Sequence, residues 1–363
     1  MSARRVPLAR LARPAARFAL AVALACLVGA GLLLATGQSP AQAAVGIFQG
    51  AFGSSITTLA SLALSTPLIL SALSFIFAFR AGVFNAGGQG QFEMGAFAAA
   101  WVGFASPFAH LSPWIHVPLV VLGGAVGGAL WALPPILWKV AAGMNEILTT
   151  LMMSYVASLL NQYLVEDVYR ATGVQPGANT QTFPLAAGAR FPPLFPQSQV
   201  TFMLPLAIAA AVFIAWFYAR TVTGYELGMV GTGREVAEGA GLNVRRLMVV
   251  AMLGSGALAG MAGAAVTGGV FFADITPFSS NVGFNGILAA LLAGNVPLLA
   301  PVTGLFFGAL QNGGLGLQIF TPISRYIADV LTAGLVMFVS ARSLPGEGWR
   351  RRPRLPGRSR SHA

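Results

Sequence analysis

Charged side chains are scarce in this chain: only 9% of its 363 residues are Asp, Glu, Lys or Arg, while 56% are hydrophobic. A soluble domain of this length could not hide that much apolar surface in one core, so a soluble fold is excluded. Cysteine is nearly absent, with Cys26 alone inside the first apolar run, which leaves neither a disulfide framework nor a Cys-based metal site. Lysine occurs once, as Lys139 after Trp138, so no phosphate-binding loop of the GxxxxGK[ST] form exists. Histidine is limited to three positions; His110 and His116 share a loop without further convergent ligands, and no metal site is expected there. No convergent Ser, His or Asp set points to catalysis, so no catalytic residue is assigned and the chain is read as a non-enzyme.

What is abundant is apolar sequence in runs close to or above the roughly 18 to 20 residues that cross a hydrocarbon core. Hydropathy with turn punctuation predicts an all-α, polytopic helical bundle of about ten spans, with eight as the lower bound. They fall near 17–36, 54–79, 83–104, 117–138, 146–165, 201–219, 246–272, 284–299, 301–320 and 323–341. Pro297 and Pro301 interrupt the eighth and ninth, which could instead form one re-entrant hairpin. The first segment also has the basic, apolar and Ala-x-Ala parts of a secretory signal, but its long apolar core favours a retained helix.

Basic residues follow the positive-inside pattern. With both termini cytoplasmic, eighteen of the 21 Lys and Arg residues fall on the inner side, and only Arg170, Arg190 and Arg325 fall outside. The net charge of +11 is thus explained by topology and by anionic lipid, without a nucleic-acid partner. The expected organisation is a basic N-terminus over 1–16, a membrane domain over 17–341 and a basic tail over 342–363. The membrane domain carries an outer loop at 166–200 and a cytoplasmic loop at 220–246. A multi-pass protein of the bacterial plasma (inner) membrane is the expected setting.

Polar residues within an apolar chain mark the candidate sites. Phe84 to Gly95 holds Asn85, Gln89, Gln91 and Glu93 among four glycines. A carboxylate near the bilayer centre costs roughly 2.5–3.5 kcal/mol on insertion scales, so the cluster either lines a polar pathway or bonds neighbouring helices. Asn145 and Glu146 open the fifth span, where Asn suits a helix cap and Glu the positive end, or where both meet solute or a motor. Arg325 and Asp329, four apart, read as an ion pair within the last span. Gly123/Gly127, Gly124/Gly128, Gly256/Gly260 and Gly304/Gly308 have the spacing that lets helices approach.

The cytoplasmic loop is far longer than a turn requires. Thr232 and Glu235 have capping-box spacing, Arg234 to Ala240 can make about two helical turns, and Gly241 can stop them. A short helix lying along the cytoplasmic face is the expected form of this loop.

These segments together resemble the permease family that serves branched-chain amino acid, simple-sugar and nucleoside ABC importers, over roughly residues 60–340. The resemblance is carried by Gly82-Val83-Phe84-Asn85-Ala86-Gly87 through Gly90-Gln91, by Asn145-Glu146-Ile147 with Tyr155, by Gly224-Tyr225-Glu226-Leu227, and by Ala240-Gly241-Leu242-Asn243 leading into Ser255–Gly260. Length and the Phe84-Asn85 segment are most similar to the larger permease of nucleoside importers. The resemblance implies a solute pathway near Asn85, Gln89 and Gln91, to which Glu93, Asn145 and Glu146 are added as candidates. It implies ATPase coupling through Arg234 to Gly241, with Gly224, Tyr225, Glu226, Arg234, Glu235, Glu238 and Gly241 as the contact residues. Implied partners are an ABC ATPase that carries ATP and Mg, a second and shorter permease, and an extracytoplasmic solute-binding protein; no cofactor is expected on this chain. The sequence departs from the family where Gln89 replaces a frequent Glu, where Gly228 replaces a basic residue, and where Glu93 replaces an apolar one. Nucleosides are the expected solute, with sugars or branched-chain amino acids as alternatives. An ion-coupled secondary transporter is the competing class, and it would require buried ionisable groups in the central spans.

Overall fold

The computed structural model describes residues 37–108, 110–171, 180–276 and 281–320, with a few helical positions between 23 and 35 and residue 330. The expected last span at 323–341, the Arg325–Asp329 pair and both basic termini lie outside the described residues.

Helices dominate. Helix α1 spans Pro40–Phe52, α2 Ser55–Arg80, α3 Gly88–Phe104, α4 Pro113–Ala142, α5 Glu146–Tyr163 and α6 Met203–Arg220. After them come α7 at Val222–Thr232, α8 at Arg234–Gly239, α9 at Val244–Val266, α10 at Val282–Leu292 and α11 at Ala300–Phe320. Both α5 and α9 end in a five-residue π turn, Leu164–Val168 and Thr267–Phe271. Among the described residues four helices (α2, α4, α6, and α9 with its π turn) are long and apolar enough to cross a membrane, and the bent α10–α11 pair would make a fifth.

The helices depart from or refine the expected spans in four places. Helix α1 lies between the first two expected spans; Ser39 caps it by accepting from the Gln42 N–H and Pro40 occupies its first position, a start signal that needs no hydrophobic run. The third span begins at Gly88 rather than 83, because Gly82–Gly87 is an irregular segment entered through a left-handed Gly82. Of the two open readings of 284–320, the bent one is seen: α10 has only 11 residues, too few to cross alone, and the chain turns by 114° between α10 and the Pro297–Phe320 segment. The 220–246 loop holds two helices where one was expected, and the expected capping box does not form: Gly233 is the N-cap of α8, and the Thr232 hydroxyl donates to the Gly228 carbonyl.

Packing centres on α9, which lies against α4, α3 and α2, while α11 closes on α2 and α1. Glycine makes this possible. A Cβ at Gly260 would overlap the Gly124 carbonyl oxygen, and one at Gly95 would overlap the Gly260 Cα. The backbones therefore touch directly, as the small-residue spacing of α4 and α9 anticipates.

Residues 180–202 form a lid over one end of the bundle. Strand β1, Thr180–Gln181, pairs antiparallel with β2, Ile275–Thr276. Backbone N–H groups of Leu185, Ala186 and Phe191 donate to the carbonyls of Phe272, Gly103 and Gly268. The lid is thus hydrogen-bonded to the ends of α3 and α9.

Candidate functional site

A cavity of about 260 Å³ lies where α3, α5, β2 and the start of α10 meet. Its lining is polar on several sides: Gln89 and Glu93 from α3, Ser154, Ser158, Asn161 and Gln162 from α5 and its end, Thr276 from β2, and Asn281 before α10. Tyr155, Leu159 and Phe284 supply apolar surface. Tyr155 and Leu159 are exposed, so the cavity opens along α5.

Helix α3 can carry this polarity because its groups are paired. The Gly283 N–H donates to Gln89 Oε1 at 2.8 Å, and Gln89 Nε2 donates to Glu93 Oε1 at 2.8 Å. Ser158 Oγ donates to Glu93 Oε2 at 2.6 Å. Both carboxylate oxygens are therefore held, one from the same helix and one from α5. Among the described residues the ion pairs are Lys139–Glu146 and Arg234–Glu238, so no cation neutralises Glu93.

Of the six residues expected on the solute path, Gln89 and Glu93 line the cavity and four do not. Asn85 and Gln91 bond each other reciprocally, at 2.7 and 3.2 Å, and Asn85 Nδ2 also donates to Ser255 Oγ at 2.8 Å. Their polar groups are spent on joining the Gly82–Gly87 segment to α3 and α9. Asn145 caps α5 by accepting from the Ile147 N–H, and Glu146 meets Lys139 Nζ at 2.7 Å. Ser154, Ser158, Asn161 and Gln162 were not expected at the site. Their spacing of four, seven and eight residues is a helical stripe that the sequence displays but apolar neighbours obscure.

Behind the cavity, Asp274 sits in the short segment between the π turn that ends at Phe271 and β2, and is fully buried. Its carboxylate oxygens and Asn161 Oδ1 have no hydrogen-bond partner of good geometry. Burial pushes the Asp274 carboxyl up to about 8; the neighbouring Asn161 amide opposes this, the Glu93 charge adds to it, and the Ile275 N–H opposes it. Because the folded value lies above the ordinary one, the fold retains a proton that an unfolded chain has lost. Stability should therefore fall as pH rises from about 4 to about 8 and level off above that. Asp274→Asn should remove the slope, so that its melting temperature exceeds that of the parent protein at pH 8.5 and the difference shrinks at pH 5. Equal melting temperatures at both pH values would contradict this account.

At the other pole of the bundle, α7 and α8 form a small foot. Arg234, Glu235 and Glu238 are exposed, Arg234 Nε meets Glu238 Oε1 at 2.9 Å, and Ala237 is buried. Gly241 has φ +80° and ends α8, and the Leu242 N–H returns to the Ala237 carbonyl. Gly224 is buried on α7 and Glu226 half-buried, whereas Val222, Tyr225 and Val236 are exposed apolar side chains. The foot is seated on the end of α2: a Cβ at Gly231 would overlap the Arg80 carbonyl oxygen, and one at Gly82 would lie 3.1 Å from the Gly231 Cα.

Comparison with known proteins places this architecture. Residues 57–340 match the family described as branched-chain amino acid transport system / permease component. The chain is 31% identical to the guanosine ABC transporter permease protein NupP of Bacillus subtilis, over 89% of its own length and 92% of that protein's. It is 30% identical to the nucleoside ABC transporter permease protein NupB of Lactococcus lactis, over 89% and 90% respectively. The glucose ABC transporter permease protein TsgB13 of Haloferax volcanii is 29% identical over 88% of the chain and 85% of its own. The protein belongs to the branched-chain amino acid transport system permease family and is a permease subunit of an ABC transporter.

Proposed function

We propose that this permease forms part of the translocation path of an importer for nucleosides, in the inner membrane of a bacterium. The observation that carries the reading is the cavity on α3 and α5, whose amides, hydroxyls and single carboxylate are flanked by Tyr155 and Phe284. Its volume suits one small solute. Aromatic faces accept a base, and amide and hydroxyl groups suit a ribose. Two relatives at 30% identity or more, named for guanosine and nucleosides, support the same class.

Energy enters from a partner ATPase, because the chain has no phosphate-binding loop. The α7–α8 foot receives the motion, and the cavity's open flank along α5 faces a second permease. A solute-binding protein delivers the solute to the lid. An ion-coupled mechanism would use buried ionisable groups, and Glu93 and Asp274 are such groups. Membership of an ABC permease family favours ATP as the energy source.

Reconstitution with the cognate ATPase and solute-binding protein tests the assignment. Uptake of radiolabelled uridine should depend on ATP and should be competed by other nucleosides, but not by glucose or leucine. Competition by glucose in place of nucleosides would move the protein to the sugar branch. Uptake abolished by an ionophore, and indifferent to ATP, would refute the importer mechanism.

A further inference from the structure

Glu93 is unusual in its setting. It is a buried carboxylate on the cavity wall, without a cationic partner among the described residues. Its orientation is determined by the groups around it. The Gly283 N–H fixes Gln89 Oε1 as an acceptor, which leaves Gln89 Nε2 facing Glu93 Oε1 as a donor. Ser158 Oγ lies 2.6 Å from the other oxygen. A carboxylate has about four acceptor directions, so each oxygen keeps one free. Among the described residues the lining adds no Lys, Arg or His; its other polar members are amides and hydroxyls. A wall of this kind repels phosphate and carboxylate groups. It attracts a neutral molecule that presents two adjacent N–H donors.

We propose that Glu93 reads the donor edge of the nucleobase, so that the cavity favours bases with a ring N–H beside an exocyclic amino group, as in guanine. The inference rests on the nucleoside reading of the cavity. Guanine places a ring N–H and an amino N–H side by side, which matches the two free acceptor positions of one carboxylate. Hypoxanthine keeps only the ring N–H, and uracil flanks its ring N–H with two carbonyls that face the carboxylate unfavourably. Adenine and cytosine set a ring nitrogen lone pair against the carboxylate next to their amino group. The order is therefore guanosine first, inosine and uridine next, adenosine and cytidine last. A Gln at this position offers one acceptor and one donor, a pattern that adenine satisfies and that guanine meets only by exchanging its amino N–H for its carbonyl, so Glu93→Gln should erode the preference. Nucleotides should be rejected whatever their base, because their phosphates meet an uncompensated negative charge.

The test is equilibrium binding of tritiated guanosine to the purified permease complex without its solute-binding protein, so that the donor's own selectivity does not enter. One good bidentate pair discriminates by about tenfold or more, so guanosine should compete at least about tenfold better than adenosine or 1-methylguanosine, whose ring N–H is blocked. With Glu93→Gln the guanosine-to-adenosine ratio should fall by at least about tenfold. Equal competition by guanosine and 1-methylguanosine on the unaltered complex would overturn the assignment without reliance on any variant. So would a Glu93→Gln protein that loses affinity for all nucleosides equally, which is the mark of a structural role. Binding of glucose with none of any nucleoside would overturn the nucleoside reading itself, and the role of Glu93 with it.

Discussion

Removing residues 234–241 should abolish uptake while the protein still accumulates in the membrane and still binds its solute. The expectation follows from how little the segment contributes to the bundle. Of α8, only Ala237 is buried, and the Arg234–Glu238 pair is exposed and stabilises a surface helix by a few tenths of a kcal/mol at most. The rest of the foot remains on the end of α2 through the Gly231–Arg80 contact. The segment is nevertheless shaped: Gly233 and Gly241 bound it, and Gly241 adopts the left-handed conformation that ends it. Exposed Tyr225 and Val236 give the foot an apolar surface that a water-facing helix would not need, which suits insertion into a groove of the motor. Val236→Asp should reproduce most of the deletion phenotype, with uptake reduced by about tenfold or more if this side chain is an anchor of that interface. Membrane abundance by immunoblot, uptake, and co-purification of the ATPase are the three measurements. Normal uptake by the deletion would show that force enters elsewhere.

The legible part of this fold was the part that hydrophobicity alone decides. Helices α2, α4, α6 and α9 follow from apolar runs, and their approach follows from paired glycines. The sequence was less transparent where polarity and helix geometry compete. Span α3 starts late because Asn85 is needed outside the helix, where its side chain accepts from the Gly87 N–H and bonds Gln91. Reading hydropathy through that segment could not separate a loop that hydrogen-bonds to itself from the first turn of a span. The α10–α11 bend was one of two open readings, since Pro297 and Pro301 announce a break without giving its angle. The cavity was half visible: Gln89 and Glu93 stand out because charge and amides are rare in an apolar chain, whereas Ser158, Asn161 and Thr276 meet them only after α5 and β2 pack beside α3. Asp274 is in sequence a lone carboxylate after an apolar span, and its character comes from complete burial under the lid.

A Gly260→Leu substitution should prevent accumulation of folded permease, a larger effect than any single change at the cavity or foot. Three helix backbones share this point. Gly260 on α9 faces Gly124 and Gly128 on α4 and Gly95 on α3, and Gly256 one turn away meets the Gly128 carbonyl. At Gly260 a Cβ alone would overlap the Gly124 carbonyl oxygen, an atom that cannot swing aside as a side chain tip can. The helices would have to separate, and their neighbours would lose contact along the whole seam. Overpacking in a dense core costs typically about 1–3 kcal/mol, and more when backbone rather than side chain must move. Gly260→Ala should already lower the melting temperature measurably, whereas Gly228→Ala, where added volume meets nothing inside helix α7, should leave it unchanged or raise it slightly. If Gly260→Leu accumulated to parental levels and transported normally, the direct contact between α4 and α9 would be wrong. The cavity would then lose its scaffold too, since α3 is held in place against the same two helices and carries Gln89 and Glu93 on the face it turns toward α5.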